Sequence, residues 1–481
     1  MSNTTLLGLA HILLGLILSV DVILHKYRPV SAVLWLGVLW VLPIAGPALY
    51  LVFGMDRIRR GAAERRASRR MLDRLAALHS TFDQMTVDTA STHGHPAAHI
   101  FAATDPAVVP NRVLRGNRAE LMVDGDEFYP ALFEAIDEAE GSIHLQTFIL
   151  ARDRIGRDLR QRLVARARDG ITVRVLYDRF GSTGAHLFRF LEPLRKAGGE
   201  VRSISQANPL KGRFQINLRN HRKVAVIDGR TAFAGGMNLD EKNVSWYDRG
   251  ADRDYHMRLR GPAVADLQFQ FVEDWYFAGP GDPVELLSEK YFPPLEEAGE
   301  GFVQIVPGAP ESGGRGLADA FFGAIASAVG SVWIVTPYFV PDEPILHALR
   351  HAAIRGVDVR LILPRRSNHW YTTWAARALY TFLLKAGVRV FERGPPFAHA
   401  KAMLVDDVYA MIGSANLDYR SLHLNFELNV EIADDTLVRR LGEELERDMA
   451  ASREITFAEH QARSNFRRLG ENFCRLFQPV L

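Results

Sequence analysis

Only one cysteine occurs in 481 residues, Cys474. A lone thiol forms no internal disulfide and falls far short of a thiolate zinc site, so oxidative stapling and structural zinc are both excluded. Net charge is nearly missing as well, because 58 Lys and Arg stand against 56 Asp and Glu, a formal +2. No overall basic field marks nucleic acid as the partner, and charge has to be read locally. Lys and Arg are also absent ahead of the first apolar run. With no small-residue cleavage site after that run, a secretory signal peptide is set aside. Hydrophobic residues are plentiful at 48%, enough to give two or three domains a packed core.

The run from Leu6 to Leu24 is apolar apart from His11 and Asp21, and the run from Val30 to Phe53 carries no charge. Each approaches the roughly 20 residues that a bilayer-spanning helix needs. Two transmembrane spans are expected, at about 6–24 and 30–53, forming a hairpin within residues 1–56. Pro43 and Pro47 leave room for a kinked or re-entrant second segment. Arg57, Arg59, Arg60, Arg65, Arg66, Arg69 and Arg70 follow at once, whereas the connecting loop offers only Lys26 and Arg28. The positive-inside rule therefore places a multi-pass protein in the cell membrane with its large domain in the cytoplasm. The arginine run is either a solvated helix face or a contact with anionic lipid head groups. Ser68 to Phe82 has helical periodicity and Thr86 to Pro110 reads as a linker, completing a second region over 57–110.

Beyond Arg112 the chain repeats itself. GSIHLQTFIL from Gly141 returns as GSVWIVTPYFV from Gly330, DGITVRVLYD from Asp169 as RGVDVRLILP from Arg355, and KAGGEVR from Lys196 as KAGVRVF from Lys385. Apolar, β-branched runs alternate with helix-like ones, which predicts an α/β fold. Two repeats are expected, 111–300 and 301–481, each a mixed sheet flanked by helices and able to pack face to face about a pseudo-twofold axis. Gly308 to Gly316 reads as an inter-repeat turn, since no GxxxxGK pattern is present to make it a phosphate loop.

One element of each repeat holds the chemistry: HRKVAVIDGRTAFAGGMNLD from His221 and HAKAMLVDDVYAMIGSANLD from His399, offset by 178 residues. Alternate residues of a strand share a face, so His and Lys of each HxK project together. If the repeats pack about a twofold axis, His221, Lys223, His399 and Lys401 converge. Such a site fits displacement at a phosphodiester. A neutral imidazole attacks phosphorus, and a protonated one gives its proton to the leaving alkoxide. Lys223 and Lys401 supply charge to the nonbridging oxygens, with Asn238, Asn416 and Ser414 as neutral donors. This chemistry asks for no metal and no cofactor. Asp228 and Asp406 either fix a strand end or orient an imidazole. A single HxK is weak evidence, but its duplication at one fixed offset with the GxxN tail intact is strong.

The paired HxKx4D motifs with their GGxN and GSxN tails resemble the phospholipase D superfamily over essentially all of the chain after Arg112. A narrower resemblance is to bacterial cardiolipin synthases, through the N-terminal hairpin with WVLPIAGPALYLVFG, DRDYHMRLRGP from Asp252, TPYFVPDE from Thr336 and the closing QPVL. The resemblance implies a ping-pong transfer in which one phosphatidylglycerol loses glycerol to leave a phosphatidyl-histidine enzyme. A second phosphatidylglycerol then accepts the phosphatidyl group, giving cardiolipin. It also implies His221 as nucleophile and His399 as acid and base, a choice that the symmetry of the motifs does not make. Asp254 and Glu427 hold the positions of carboxylates that orient each motif's imidazole. Anionic phospholipid and the membrane are then the partners. Gln146 stands where the family often has glutamate, and DRD replaces the usual WRD.

A metal-independent nuclease would use the same four side chains but would want a basic groove and no hairpin. A hydrolytic phospholipase D, a phosphatidylserine synthase and a phosphatidylethanolamine-using cardiolipin synthase differ from the synthase in donor or acceptor, and a dead scaffold is opposed by two intact motifs. At the C-terminus, Leu469, Phe473, Leu476 and Phe477 share one helix face, which either packs in a core or meets the bilayer.

Overall fold

The computed structural model describes residues 3–26, 29–54, 92, 94–103, 111–204, 219–247, 250–279, 281–310 and 316–478. The chain divides into two compact units, 1–64 and 65–481. The arginines between 57 and 70 and the helix expected over 68–82 lie outside the described residues.

In the first unit, α1 (Asn3–His25) is followed by α2 (Pro29–Val41). The second apolar stretch is divided, in line with the kinked alternative that its prolines left open. Pro43 has no N–H to continue the helix, Ile44 takes a positive φ of 64°, and a short helix then runs over Ala45–Leu49. Leu18, Val22, Leu39 and Tyr50 form a small core. Asp21, the acidic residue inside the first apolar run, is satisfied there: Tyr50 donates to it at 2.7 Å and His25 Nδ1 lies 2.7 Å from its other oxygen. Among the described residues no helix is long and apolar enough to cross a membrane.

The second unit contains the two repeats. The first supplies β1 (Leu114–Val123), β2 (Ser142–Thr147), β3 (Thr172–Asp178), β4 (Glu200–Ile204), β5 (Val224–Ile227), β6 (Thr231–Gly235) and β7 (Tyr255–Arg260). The second supplies β8 (Gly301–Gly308), β9 (Ser331–Val335), β10 (Phe339–Val340), β11 (Asp358–Pro364), β12 (Arg389–Arg393), β13 (Ala402–Val405), β14 (Tyr409–Gly413), β15 (Leu417–Asp418), β16 (Glu427–Ala433) and β17 (Ser452–Ile455). The strand order is β17-β12-β11-β9-β13-β14-β16-β8-β1-β7-β6-β5-β2-β3-β4. Apart from β17 it reads the same from either end once equivalent strands are matched, which is the signature of a twofold axis between β8 and β1.

The α/β expectation is met, and each recurring segment found in the sequence is a parallel strand: β2 and β9, β3 and β11, β4 and β12. The repeats are joined edge to edge as well as packed, because β1 pairs with β8. Val224, Val226 and Met257 from the first repeat share one core with Val430, Ile412 and Leu404 from the second. Helices α3 (Ala263–Ala278), of repeat one, and α5 (Asp435–Ala450), of repeat two, contribute to that core; α4 (Trp370–Leu384) and α6 (Asn465–Arg475) lie on repeat two.

Two expectations are corrected. Part of the supposed linker is packed structure: Ala97, Ile100 and Phe101 enter the core of repeat two, with the Phe101 ring edge-on to Tyr409 at 5.4 Å. Gly308 closes β8, so the segment after it follows the first strand of repeat two and does not separate the repeats.

Candidate active site

The motif strands β5 and β13 are four apolar, fully buried residues each. They run antiparallel to β2 and β9, with Val224 opposite Gln146 and Ala402 opposite Val335. This register sets each HxK at the C-terminal edge of the parallel strands. The histidine backbones are then fixed from across the repeat boundary. The His221 N–H donates to the Phe426 carbonyl at 2.8 Å and the His399 N–H to the Arg253 carbonyl at 2.7 Å.

Phe426 and Arg253 are the residues just before Glu427 and Asp254, so the carboxylates arrive crossed. His221 Nδ1 lies 2.9 Å from Glu427 Oε2, and His399 Nδ1 lies 2.7 Å from Asp254 Oδ2. Each carboxylate serves the histidine of the other repeat and not that of its own motif, a correction to the sequence reading. An ionised carboxylate only accepts, so it holds the proton on Nδ1 and leaves the Nε2 lone pair for chemistry.

Glu427 and Asp254 are fully buried. Burial alone would raise both carboxyls, but His221 and Lys223 bring Glu427 below its ordinary range, and Lys401 and His399 do the same for Asp254. Desolvation is the main influence on the bases as well. It lowers Lys223 to about 7 and Lys401 to about 8, and it lowers His399 to about 4 with help from Lys401. His221 is lowered too, against the pull of Glu427. Lys223 Nζ donates to the His221 carbonyl at 2.6 Å, and Lys401 donates to the His399 carbonyl with its Nζ 3.0 Å from His399 Nε2. Phe148, not singled out in the sequence, walls the site, edge-on to His221 at 4.9 Å and 5.6 Å from the Lys223 ammonium.

The remaining predicted residues divide. Ser414 spends its hydroxyl proton on Glu427 Oε2 at 2.6 Å, so it braces the orienting carboxylate and does not stand as a free phosphate donor. Asn238 accepts from the Ile149 N–H through Oδ1, Asn416 Nδ2 donates to Ser421, and Asn416 Oδ1 is buried without a partner. Asp228 and Asp406 are placed away from the histidines, at the opposite ends of β5 and β13. Asp228 accepts from the N–H groups of Glu140, Gly141 and Ser142, and Asp406 from those of Val329, Gly330 and Ser331. Of the two roles left open for them, the geometry is that of the strand-end clamp. The glycines of the tails are steric requirements. A Cβ on Gly236 would overlap the Asp254 carboxylate, and one on Gly413 would overlap Asn429 and the Leu428 carbonyl.

Arg222, the variable residue of the first HxK, is buried and makes two bonds to Asp274 at 2.8 and 2.7 Å. It also donates to the carbonyls of Glu427 and Gly308 in the other repeat. Gln146 donates to the same Asp274 at 2.6 Å, which accounts for an amide there: a glutamate would set two carboxylates against each other. Arg253 of the DRD sequence binds Asp448 at 3.0 Å and Glu444, both on α5. The preceding Asp252 donates its N–H to the Lys242 carbonyl at 2.8 Å, and its carboxyl is pushed up to about 6 by burial against the pull of Lys242.

Residues 132–275 and 321–449 match the family model described as "Cardiolipin synthase, PLD-like domain", and residues 13–54 match the one described as "Phospholipase_D-nuclease N-terminal". Cardiolipin synthase A of Pseudomonas aeruginosa is 37% identical, covering 100% of this chain and 97% of its own. The chain belongs to the cardiolipin synthase family. It is therefore a phosphatidyltransferase of the phospholipase D superfamily. Another family member, the cardiolipin synthase of Geobacillus kaustophilus, is 34% identical over 99% of this chain and 94% of its own. The crystal structure of phosphatidylserine synthase from Haemophilus influenzae shares the fold, with a TM-score of 0.60 at 16% identity, covering 76% of this chain and 95% of that one.

Proposed function

We propose that this protein makes cardiolipin from two phosphatidylglycerol molecules through a phosphatidyl-histidine intermediate. The observation that carries the reading is the crossed pairing: two histidines with Nδ1 pinned, two buried ammonium groups between them, and one site. The Nε2 lone pair of His221 forms a bond to phosphorus, the bond from phosphorus to the glycerol oxygen breaks, and His399 Nε2–H gives its proton to that oxygen. The head-group hydroxyl of a second phosphatidylglycerol next gives its proton to His399 and bonds to phosphorus. The P–N bond breaks and returns its electron pair to His221. Lys223 and Lys401 hold the nonbridging oxygens, with Asn238 and Asn416 beside them. His399 is neutral in the empty site, and the negative charge of a bound phosphodiester raises it toward protonation.

In this reading residues 1–56 anchor the enzyme in the cell membrane, and the basic stretch that follows keeps the catalytic unit cytoplasmic. The test is an assay in detergent micelles with labelled phosphatidylglycerol as sole lipid, with His221→Ala alongside. Equal amounts of cardiolipin and free glycerol are expected, both lost in the variant, with an acid-labile, alkali-stable phosphatidyl label on His221 after rapid quenching. Phosphatidic acid as the main product would make water the acceptor and overturn the synthase reading. No turnover until another alcohol lipid is added would assign a different transfer.

A further inference from the structure

The edge of the catalytic unit that holds the histidines also carries two groups of large apolar side chains that nothing covers among the described residues. The first is on α6 and the turn that ends it, where Phe466, Leu469, Phe473, Leu476 and Phe477 are exposed, Phe466 by 83% and Leu476 by 74%. This is the stripe for which core packing was one expectation; it points outward, and the helix is held by another side, where Cys474 packs with Val340 and Ala375 and Gly470 lies against Trp374. The second group, Phe180, Leu187 and Phe188, follows β3. Because β3 and β11 run parallel to β2 and β9, the segments after them emerge at the edge where the HxK pairs begin. The same edge includes Trp370, exposed at the start of α4.

Cationic side chains accompany both groups. Glu471, the sole acidic residue of α6, is buried against Arg463 and Arg467, which leaves Arg468 and Arg475 exposed on the helix. Beside the second group Arg179 and Arg189 are exposed, and Arg152 lies over the Phe188 ring at 4.0 Å. An apolar face flanked by cations, with no exposed acid on the helix, matches the head-group region of an anionic bilayer.

We propose that these two groups seat the catalytic unit on a bilayer containing anionic phospholipid, with the aromatic and leucine side chains in the boundary between head groups and acyl chains and the mouth of the site turned toward the lipid. The inference deepens the transfer reading, on which it rests for the reason a site should face lipid. The full chain is prepared as Phe473→Cys or Leu476→Cys in a Cys474→Ser background, and Glu138→Cys in the same background probes the opposite edge. Each is labelled with bimane and reconstituted in vesicles of phosphatidylcholine and phosphatidylglycerol with brominated acyl chains. At least a twofold loss of emission is expected at 473 and 476 and none at 138, with weaker quenching in phosphatidylcholine alone. Equal quenching at both edges, or an unquenched but blue-shifted label at 473 and 476, which would mean a protein cover, overturns the proposal. Unchanged quenching without phosphatidylglycerol overturns its anionic component. Separation of the lipid products in the same vesicles distinguishes the two readings: cardiolipin formed without quenching sinks the docking alone, and quenching with phosphatidic acid as the product sinks the synthase alone.

Discussion

Because His221 and His399 are pinned by carboxylates of the opposite repeat, the effects of mutation should follow the crossed pairs and not the motifs. A substrate with a p-nitrophenol head group needs no proton on its leaving group, so the first step with it depends on the nucleophile and little on the acid. For release of p-nitrophenol, Glu427→Gln should match His221→Ala in slowing the burst, by about 10²–10⁴-fold. Asp254→Asn should match His399→Ala and leave the burst largely intact. If Asp254→Asn instead abolished the burst while Glu427→Gln spared it, the assigned roles of the two histidines would be reversed. The lysines give a pH dependence. Their useful form is the ammonium, present below the pKa and lost as pH rises, and burial has brought Lys223 to about 7 and Lys401 to about 8. The kcat/KM profile should therefore fall on its alkaline side with a macroscopic pKa between about 7 and 8. Lys223→Arg, whose charge persists, should move that limb upward even if it lowers the maximum.

At the scale of the strand, the four residues between Lys and Asp were legible because β5 and β13 are each four residues of buried apolar strand. What the aspartate does at the end of that strand was not, since a clamp on three N–H groups and an imidazole partner look alike in one dimension. Asp228→Asn should accordingly lower stability by about 1 kcal/mol, the net cost of exchanging charge-assisted bonds to part-buried and exposed N–H groups for those of a neutral amide, and leave kcat of the folded enzyme near wild type. Gly236→Ala should do the reverse in kind: its Cβ displaces Asp254, so the variant should reproduce the Asp254→Asn kinetic pattern. Thermal melting and the two-substrate assay together check both variants. The second apolar run and the tail stripe show where periodicity stops informing. Apolarity is legible in each, but the positive φ at Ile44 and the outward face of α6 depend on packing that the pattern does not encode.

For the molecule as a whole, the constant offset of 178 residues makes the twofold arrangement readable in one dimension. The junction is not, because the β1–β8 pairing and the crossed carboxylates join segments with no local signal of each other. Arg222 is the residue where that junction and the site meet. From repeat one it holds Asp274 of its own repeat and the Glu427 and Gly308 carbonyls of the other, all in a buried setting. Replacing it by methionine keeps the volume but removes the guanidinium from the buried Asp274 carboxylate, which costs about 3–5 kcal/mol when one partner of a buried pair is removed. The two halves share a core and a sheet, so this loss should not melt repeat one by itself. Calorimetry of Arg222→Met should show the catalytic unit still unfolding in a single transition at lower temperature, with Asp274→Asn in the same background recovering part of the loss by removing the buried charge. Separate transitions for the repeats would mean that the shared core does not couple them, and that the crossed pairing of Glu427 with His221 survives on main-chain contacts alone.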